Sequence, residues 1–123
     1  MKKGEGIISK KDLLNYSSVW RKPITGKYKD ITFTSMPLPS SGGILLKQLL
    51  KMSEQLDFSK IKYHSSKYIH WLSEMERRVY SDRSEFLGDT DFIKVPLEQL
   101  CSDTYIIDRF HTIDSSIATK SID

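Results

Sequence analysis

Two hydrophobic periods run along this chain, and the changes between them divide it into elements. Tyr68, Trp71, Leu72, Met75, Val79 and Phe86 fall on one stripe at about 100° per residue, which predicts a long helix from Ser65 or Ser66 to about Phe86. Leu87-Gly88-Asp89 then stops it, glycine being the common helix terminator. Upstream, the apolar run from Ile44 to Met52 predicts a helix from Ser41 to about Leu56, with Asp57 to Lys62 as connector. Before that the period is two. Ile31, Phe33 and Ser35 share one face of a strand from Ile31 to Met36, with hydroxyl or charged residues opposite. Val19 to Tyr28 reads as its partner strand, Pro23 marking an edge and Gly26 a bulge, and Lys29-Asp30 makes a two-residue turn without the favoured glycine.

Punctuation residues place the remaining elements. Ser9-Lys10-Lys11-Asp12 is a capping-box variant that opens a short helix through Leu13, Leu14 and Tyr16. In Ser35-Met36-Pro37-Leu38-Pro39-Ser40-Ser41-Gly42-Gly43, two prolines hold an extended approach and two hydroxyl residues stand where a helix N-cap belongs. The free N–H groups of such a terminus can bind an anion. Pro96 suits the first turn of a helix in Val95 to Leu100, and Thr104 to Phe110 makes another. After His111 the chain is Ser, Thr, Lys and Asp with scattered isoleucines. The expected fold class is therefore α+β and predominantly helical, one β-hairpin with three to five helices. Residues 1–114 form a single partial domain and residues 115–123 a loose tail.

Composition narrows the classes of function. At 123 residues the chain is sized for one domain with a modest core. Nineteen Lys and Arg against sixteen Asp and Glu give +3, too small and too dispersed for a nucleic-acid footprint, so no nucleic-acid partner is expected. Lys2, Lys3, Lys10 and Lys11 cluster near the start with no aromatic platform among them, and read as a solvated basic face. No apolar run approaches the roughly 18 residues of a membrane span. The basic start is followed by no apolar region, so no export signal is expected in the chain as written. Cys101 is alone, which leaves no disulfide framework or thiolate metal site and reads as a small buried apolar residue.

Candidate chemistry is sparse. Asp82 lies on the apolar stripe of the long helix, where a carboxylate needs donors; Arg83 beside it and Arg78 one turn back suggest an internal ion pair or a backbone-capping role. His64, His70 and His111 lack the i, i+4 spacing of helical metal ligands. Glu85, Asp89 and Asp91 are grouped, but no calcium-loop pattern follows, and they read as solvated loop acids. Ser40 and Ser41 sit in no nucleophile elbow, and capping accounts for both. No residue is assigned as catalytic, cofactor-binding or metal-ligating.

The resemblance to a family rests on four collinear segments between Gly6 and about Leu100. Met36-Pro37-Leu38-Pro39-Ser40-Ser41-Gly42-Gly43 resembles the proline-serine-glycine segment of γ-glutamyltransferases, also called glutathione hydrolases. The stretch from Tyr80-Ser81-Asp82-Arg83-Ser84-Glu85 through Phe86-Leu87-Gly88-Asp89 to Val95-Pro96 is similar nearly residue for residue. Gly6-Ile7-Ile8-Ser9 with Asp12-Leu13 and Tyr16, and Pro23-Ile24-Thr25-Gly26-Lys27-Tyr28, resemble the segments upstream. The resemblance implies part of an N-terminal-nucleophile (αββα) hydrolase precursor that cuts itself into two subunits. Its new N-terminal threonine would attack a γ-glutamyl amide of glutathione or a related compound, with water, an amino acid or a peptide as acceptor. It implies no metal and no organic cofactor, and family members are commonly periplasmic or extracellular.

The resemblance covers the later part of the family's large subunit. The Thr-Thr-His-[Phe/Tyr]-Ser signature is not matched, since Thr112 follows His111 and Thr119 precedes Lys120. The substrate-carboxylate arginine and the glycine-rich oxyanion region belong to other parts of the family sequence. Two expectations follow. The parent enzyme performs γ-glutamyl transfer or hydrolysis, while this chain alone is inactive and partners the remaining large- and small-subunit segments. A free-standing interaction module without catalysis is the alternative.

Overall fold

The computed structural model describes residues 2–120 of the chain. A short 3-10 turn at the start leads to helix α1 (Lys10–Asn15), hairpin strands β1 (Ile24–Tyr28) and β2 (Ile31–Ser35), then α2 (Gly42–Ser53). A single 3-10 turn at Phe58–Lys60 connects to α3 (Ser66–Phe86), and α4 (Leu97–Leu100) and α5 (Asp103–His111) follow. The fold is α+β and predominantly helical, with five α-helices and one hairpin among the described residues, as the periodicities indicate.

Local chemistry explains most of these boundaries. Ser9 and Asp12 form the reciprocal capping box, Ser9 Oγ accepting from the Asp12 N–H at 3.2 Å and Asp12 Oδ2 from the Ser9 N–H at 2.7 Å. Ser65 and Ser102 cap α3 and α5 by accepting from the N–H groups of Tyr68 and Tyr105. The hairpin pairs Ile24 with Ser35 and Tyr28 with Ile31, so Lys29-Asp30 is the two-residue turn. Lys29 takes the left-handed conformation (φ 51°) that a glycine would otherwise supply.

Two strand expectations need correction. β1 begins at Ile24, not Val19: Val19 and Trp20 stand exposed ahead of Pro23, with no strand beside them. Gly26 is not a bulge, because it pairs directly with Phe33. The glycine is there because the Phe33 ring lies across it, and a Cβ at Gly26 would come within 2.5 Å of that ring.

Helix α2 sits at the centre, packed against the hairpin on one side and α3 and α5 on the other. Leu45 and Met52 of α2, Trp71, Met75 and Val79 of α3, and Ile106 and Phe110 of α5 form the larger core. The Trp71 and Phe110 rings stack at 5.5 Å. Ile24, Leu38, Ile44 and Leu100 form a second cluster where the hairpin meets α2 and α4. Close approach at that junction requires Gly43, since a Cβ there would lie 2.3 Å from the Met36 carbonyl oxygen and 2.9 Å from Ile24 Cβ.

The amino-terminal arm is different. α1 buries no side chain, and Ile7, Leu13, Leu14, Tyr16, Val19 and Trp20 are all exposed, Trp20 fully.

Candidate functional site

Helix α3 buries two adjacent lines of side chains. Trp71, Met75 and Val79 form the apolar line; Glu74, Arg78 and Asp82, at the same i, i+4 spacing, form a buried polar line beside it. Burial of ionised groups is tolerable only where each finds partners.

Asp82 finds three. Its Oδ1 takes a 2.9 Å ion pair from Arg109 of α5, and its Oδ2 accepts from Gln48 Nε2 of α2 at 3.1 Å. The Tyr105 hydroxyl is its third hydrogen-bond partner. Burial, and then the Asp82 charge, push the Tyr105 phenol up to about 12. Gln48 Nε2 also donates to the Leu100 carbonyl, so α2, α3, α4 and α5 meet at one polar junction. The ion pair expected for Asp82 therefore exists, with a different arginine. Arg78 faces Glu74, and Arg83 reaches away to Ser41.

Glu74 is held as firmly. Arg78 and Arg77 pair with it, and Thr119 donates both its N–H and its hydroxyl to the carboxylate. Burial acts against the charged form, but the Thr119 and Arg78 hydrogen bonds outweigh it and hold the carboxyl below its ordinary range. Arg78 also donates to the Thr112 hydroxyl at 3.0 Å and the Thr112 carbonyl at 2.9 Å, and His70 Nε2 lies 2.8 Å from the Asp114 carbonyl oxygen. These contacts lay the stretch after α5 along α3. Of the tail expected to be loose, residues 121–123 lie outside the described residues. Between this stretch, α3 and α5 lies an open cleft of about 480 Å³.

The proline-serine-glycine turn is a helix entry, capped differently from expectation. Ser41 already has helical dihedrals (φ −73°, ψ −19°) and makes no side-chain cap bond. Its carbonyl accepts from the Ile44 and Leu45 N–H groups, and its hydroxyl accepts from Arg83 Nε at 3.3 Å. Ser40 supplies the side-chain oxygen, facing the Gly42 N–H at 3.4 Å.

The other candidates are dispersed. Asp91 forms a 2.6 Å ion pair with Arg21, and its N–H donates to Asp89 Oδ1. His64 stacks on Tyr63, while His70 serves Asp114. Burial pushes the Cys101 thiol up, away from reactivity. Among the described residues no grouping of His, Cys, Asp and Glu could hold a metal, and no helix is long and apolar enough to cross a membrane. Sequence reasoning missed Glu74, Gln48, Tyr105 and Thr119. For Glu74 the signal was available in its i, i+4 step to Arg78 along a buried face.

Comparison with known proteins agrees with this architecture. The gamma-glutamyltranspeptidase family model matches residues 1–123. The glutathione hydrolase proenzyme of Pseudomonas aeruginosa is 42% identical over 111 residues, 89% of this chain and 20% of that protein. Its Escherichia coli counterpart is 41% identical over 98% of this chain and 21% of its own length. The solved gamma-glutamyltranspeptidase of Pseudomonas nitroreducens, complexed with L-DON, superposes with a TM-score of 0.91 at 42% identity, covering 98% of this chain and 36% of that one. The chain thus spans about one fifth of the length of the curated relatives it matches. Its fold is that of a segment of an N-terminal-nucleophile hydrolase, and the chain belongs to the gamma-glutamyltranspeptidase family.

Proposed function

We propose that this chain is a scaffold segment of a γ-glutamyltransferase, and that the complete protein transfers the γ-glutamyl group of glutathione and related amides to amino acids, peptides or water. The nucleophile in this reading is an N-terminal threonine that lies in another segment. The observation that carries it is the pairing of near-full coverage of this chain with one-fifth coverage of the proenzymes it resembles. The polar side chains support it: the two buried carboxylates are saturated by arginine, threonine and glutamine, which suits a structural role. The exposed apolar residues of the amino-terminal arm suit a surface that the remaining large- and small-subunit segments cover.

The test is an assay of the purified chain with a γ-glutamyl anilide, alone and mixed with a fragment carrying the rest of a family member. No release of aniline by the chain alone, and release by the mixture, is the expected pair of results. Turnover by the chain alone would overturn the scaffold reading. A monomer that melts cooperatively and never associates with the other fragment would favour a free-standing interaction module.

A further inference from the structure

The hairpin has two outer edges, and they differ in chemistry. Register fixes the backbone groups that each edge presents. Tyr28 and Ile31 close the two-residue turn as a hydrogen-bonded pair, so Gly26 with Phe33 and Ile24 with Ser35 are bonded pairs as well. The N–H and C=O groups of Thr25 and Lys27 on β1, and of Thr32 and Thr34 on β2, therefore point away from the hairpin. Among the described residues no further strand pairs with either edge, and none of these four residues has a backbone hydrogen bond outside the hairpin. The β1 edge is blunted: Lys27 stands on it, and Pro23, at the next outward position, has no N–H to offer. The β2 edge has no such protection. Ile31-Thr32-Phe33-Thr34 is an unbroken β-branched and aromatic run without charge or proline. Thr32 and Thr34 are exposed, and so are Ile31 and Met36 at the two ends of the run.

We propose that the outer edge of β2 is a strand-addition site, and that its occupant is a β-strand from the remaining segments of the γ-glutamyltransferase. This rests on the scaffold reading above, in which the chain is one segment of a protein whose relatives it spans by only 20% and 21%. The incoming strand bonds to the outward N–H and C=O groups of Thr32 and Thr34. Side-chain alternation sets its pattern. Ile24 clusters with Ile44 of α2, and Ile31 and Phe33 share the face of Ile24 through the register. On that side the added strand meets Ile31 and Phe33 and carries apolar residues. On the other it meets Thr32 and Thr34 and carries hydroxyl or other polar residues. The contact differs in kind from that of the amino-terminal arm, which offers apolar side chains where β2 offers main-chain hydrogen bonds.

The experiment follows amide hydrogen exchange of the full chain, residue by residue by NMR, alone and with a fragment carrying the rest of a family member. Alone, the Thr32 and Thr34 amides should exchange freely at every chain concentration. With the fragment they should slow by at least about tenfold, the effect of one hydrogen bond, while those of Thr25 and Lys27 stay fast. Thr34→Pro removes one outward N–H without breaking a hairpin bond and should weaken association by about tenfold, whereas Thr25→Pro should leave it unchanged. Association of the wild-type chain without protection of Thr32 and Thr34 would overturn this proposal and leave the scaffold reading standing. Absence of association would overturn both. Protection that rises with the chain's own concentration, without the fragment, would give the edge to a second copy and overturn the proposal as well.

Discussion

Asp82 of α3 and Arg109 of α5 form a 2.9 Å ion pair whose carboxylate is almost fully buried while the guanidinium keeps one edge toward solvent. That asymmetry decides what each substitution does. Asp82→Ala leaves Arg109, Gln48 and Tyr105 without their shared acceptor and should destabilise the chain by roughly 2–4 kcal/mol, the range for a buried pair broken on one side. Arg109→Met leaves the almost fully buried Asp82 carboxylate without its cation and should cost at least as much, because the partly exposed guanidinium left by Asp82→Ala can turn to water. Urea unfolding of the two single variants and the double variant measures the coupling; an additive double variant would show that the pair contributes nothing specific.

The same carboxylate sets the titration of Tyr105. Burial, followed by the neighbouring Asp82 charge, raises the phenol from its ordinary 10 to about 12. Because the folded value lies above the unfolded one, the stabilisation is complete below about pH 10 and is lost as pH rises toward 12. Tyrosinate absorbance, with Tyr105→Phe to identify the contribution, should show one late-titrating residue. Asp82→Asn keeps a hydrogen-bond partner but removes the charge, so it should bring that titration to lower pH. An unchanged curve would assign the whole effect to burial.

At acid pH the sensitive group is Glu74. Its folded carboxyl sits below the ordinary value, so its stabilising contribution is present above that value and is lost as pH falls through the folded one. Glu74→Gln should flatten this acid limb, lower stability at neutral pH and release Thr119 from α3. Amide hydrogen exchange at Thr119 is the direct readout, and protection that survives in the variant would contradict the assignment.

The adjacent glycines of the helix entry should respond oppositely. Gly43→Ala drives a Cβ into the Met36 carbonyl and Ile24, where backbone must move, and should cost about 3 kcal/mol, the upper end for overpacking. At Gly42 the nearest atom to a new Cβ is Ser40 Oγ at 3.6 Å, ordinary contact. Gly42→Ala should therefore be neutral or stabilise by up to about 1 kcal/mol through helix propensity and a less flexible unfolded chain. Thermal melts of the two variants decide the point. Equal destabilisation would mean that the turn, not the packing, requires glycine.

Helices in this chain were legible because their signals are local. The stripe through Trp71, Met75 and Val79 and the serine caps at Ser65 and Ser102 are properties of neighbouring residues, and they set α3 and the start of α5. The first strand was overextended because Val19 and Trp20 have high strand propensity, while their lack of a pairing partner is a tertiary fact. The glycine at position 26 was misread for the same reason, since only the fold brings the Phe33 ring over it. Asp82 was recognisable as a buried acid, but its choice of Arg109 over the nearby Arg78 and Arg83 depends on where α5 packs. Arg78 is held by Glu74, and Arg83 donates to the Ser41 hydroxyl instead.

The amino-terminal arm gives the sharpest separation between folding and assembly. Trp20 touches nothing that buries it, and α1 contributes no side chain to either core. Trp20→Ala and Leu14→Ser should therefore leave the unfolding free energy of the isolated chain within about 0.5 kcal/mol of wild type, as for exposed positions generally. In the presence of a fragment supplying the remaining subunit segments, the same substitutions should weaken association, because each removes apolar surface that the proposed assembly covers. A large aromatic group carries more of such an interface than a leucine, so Trp20→Ala should have the greater effect. Equilibrium sedimentation of each variant with the complementary fragment measures it. Unchanged association in both, with unchanged stability, would mean that the arm faces solvent in the complete enzyme as well.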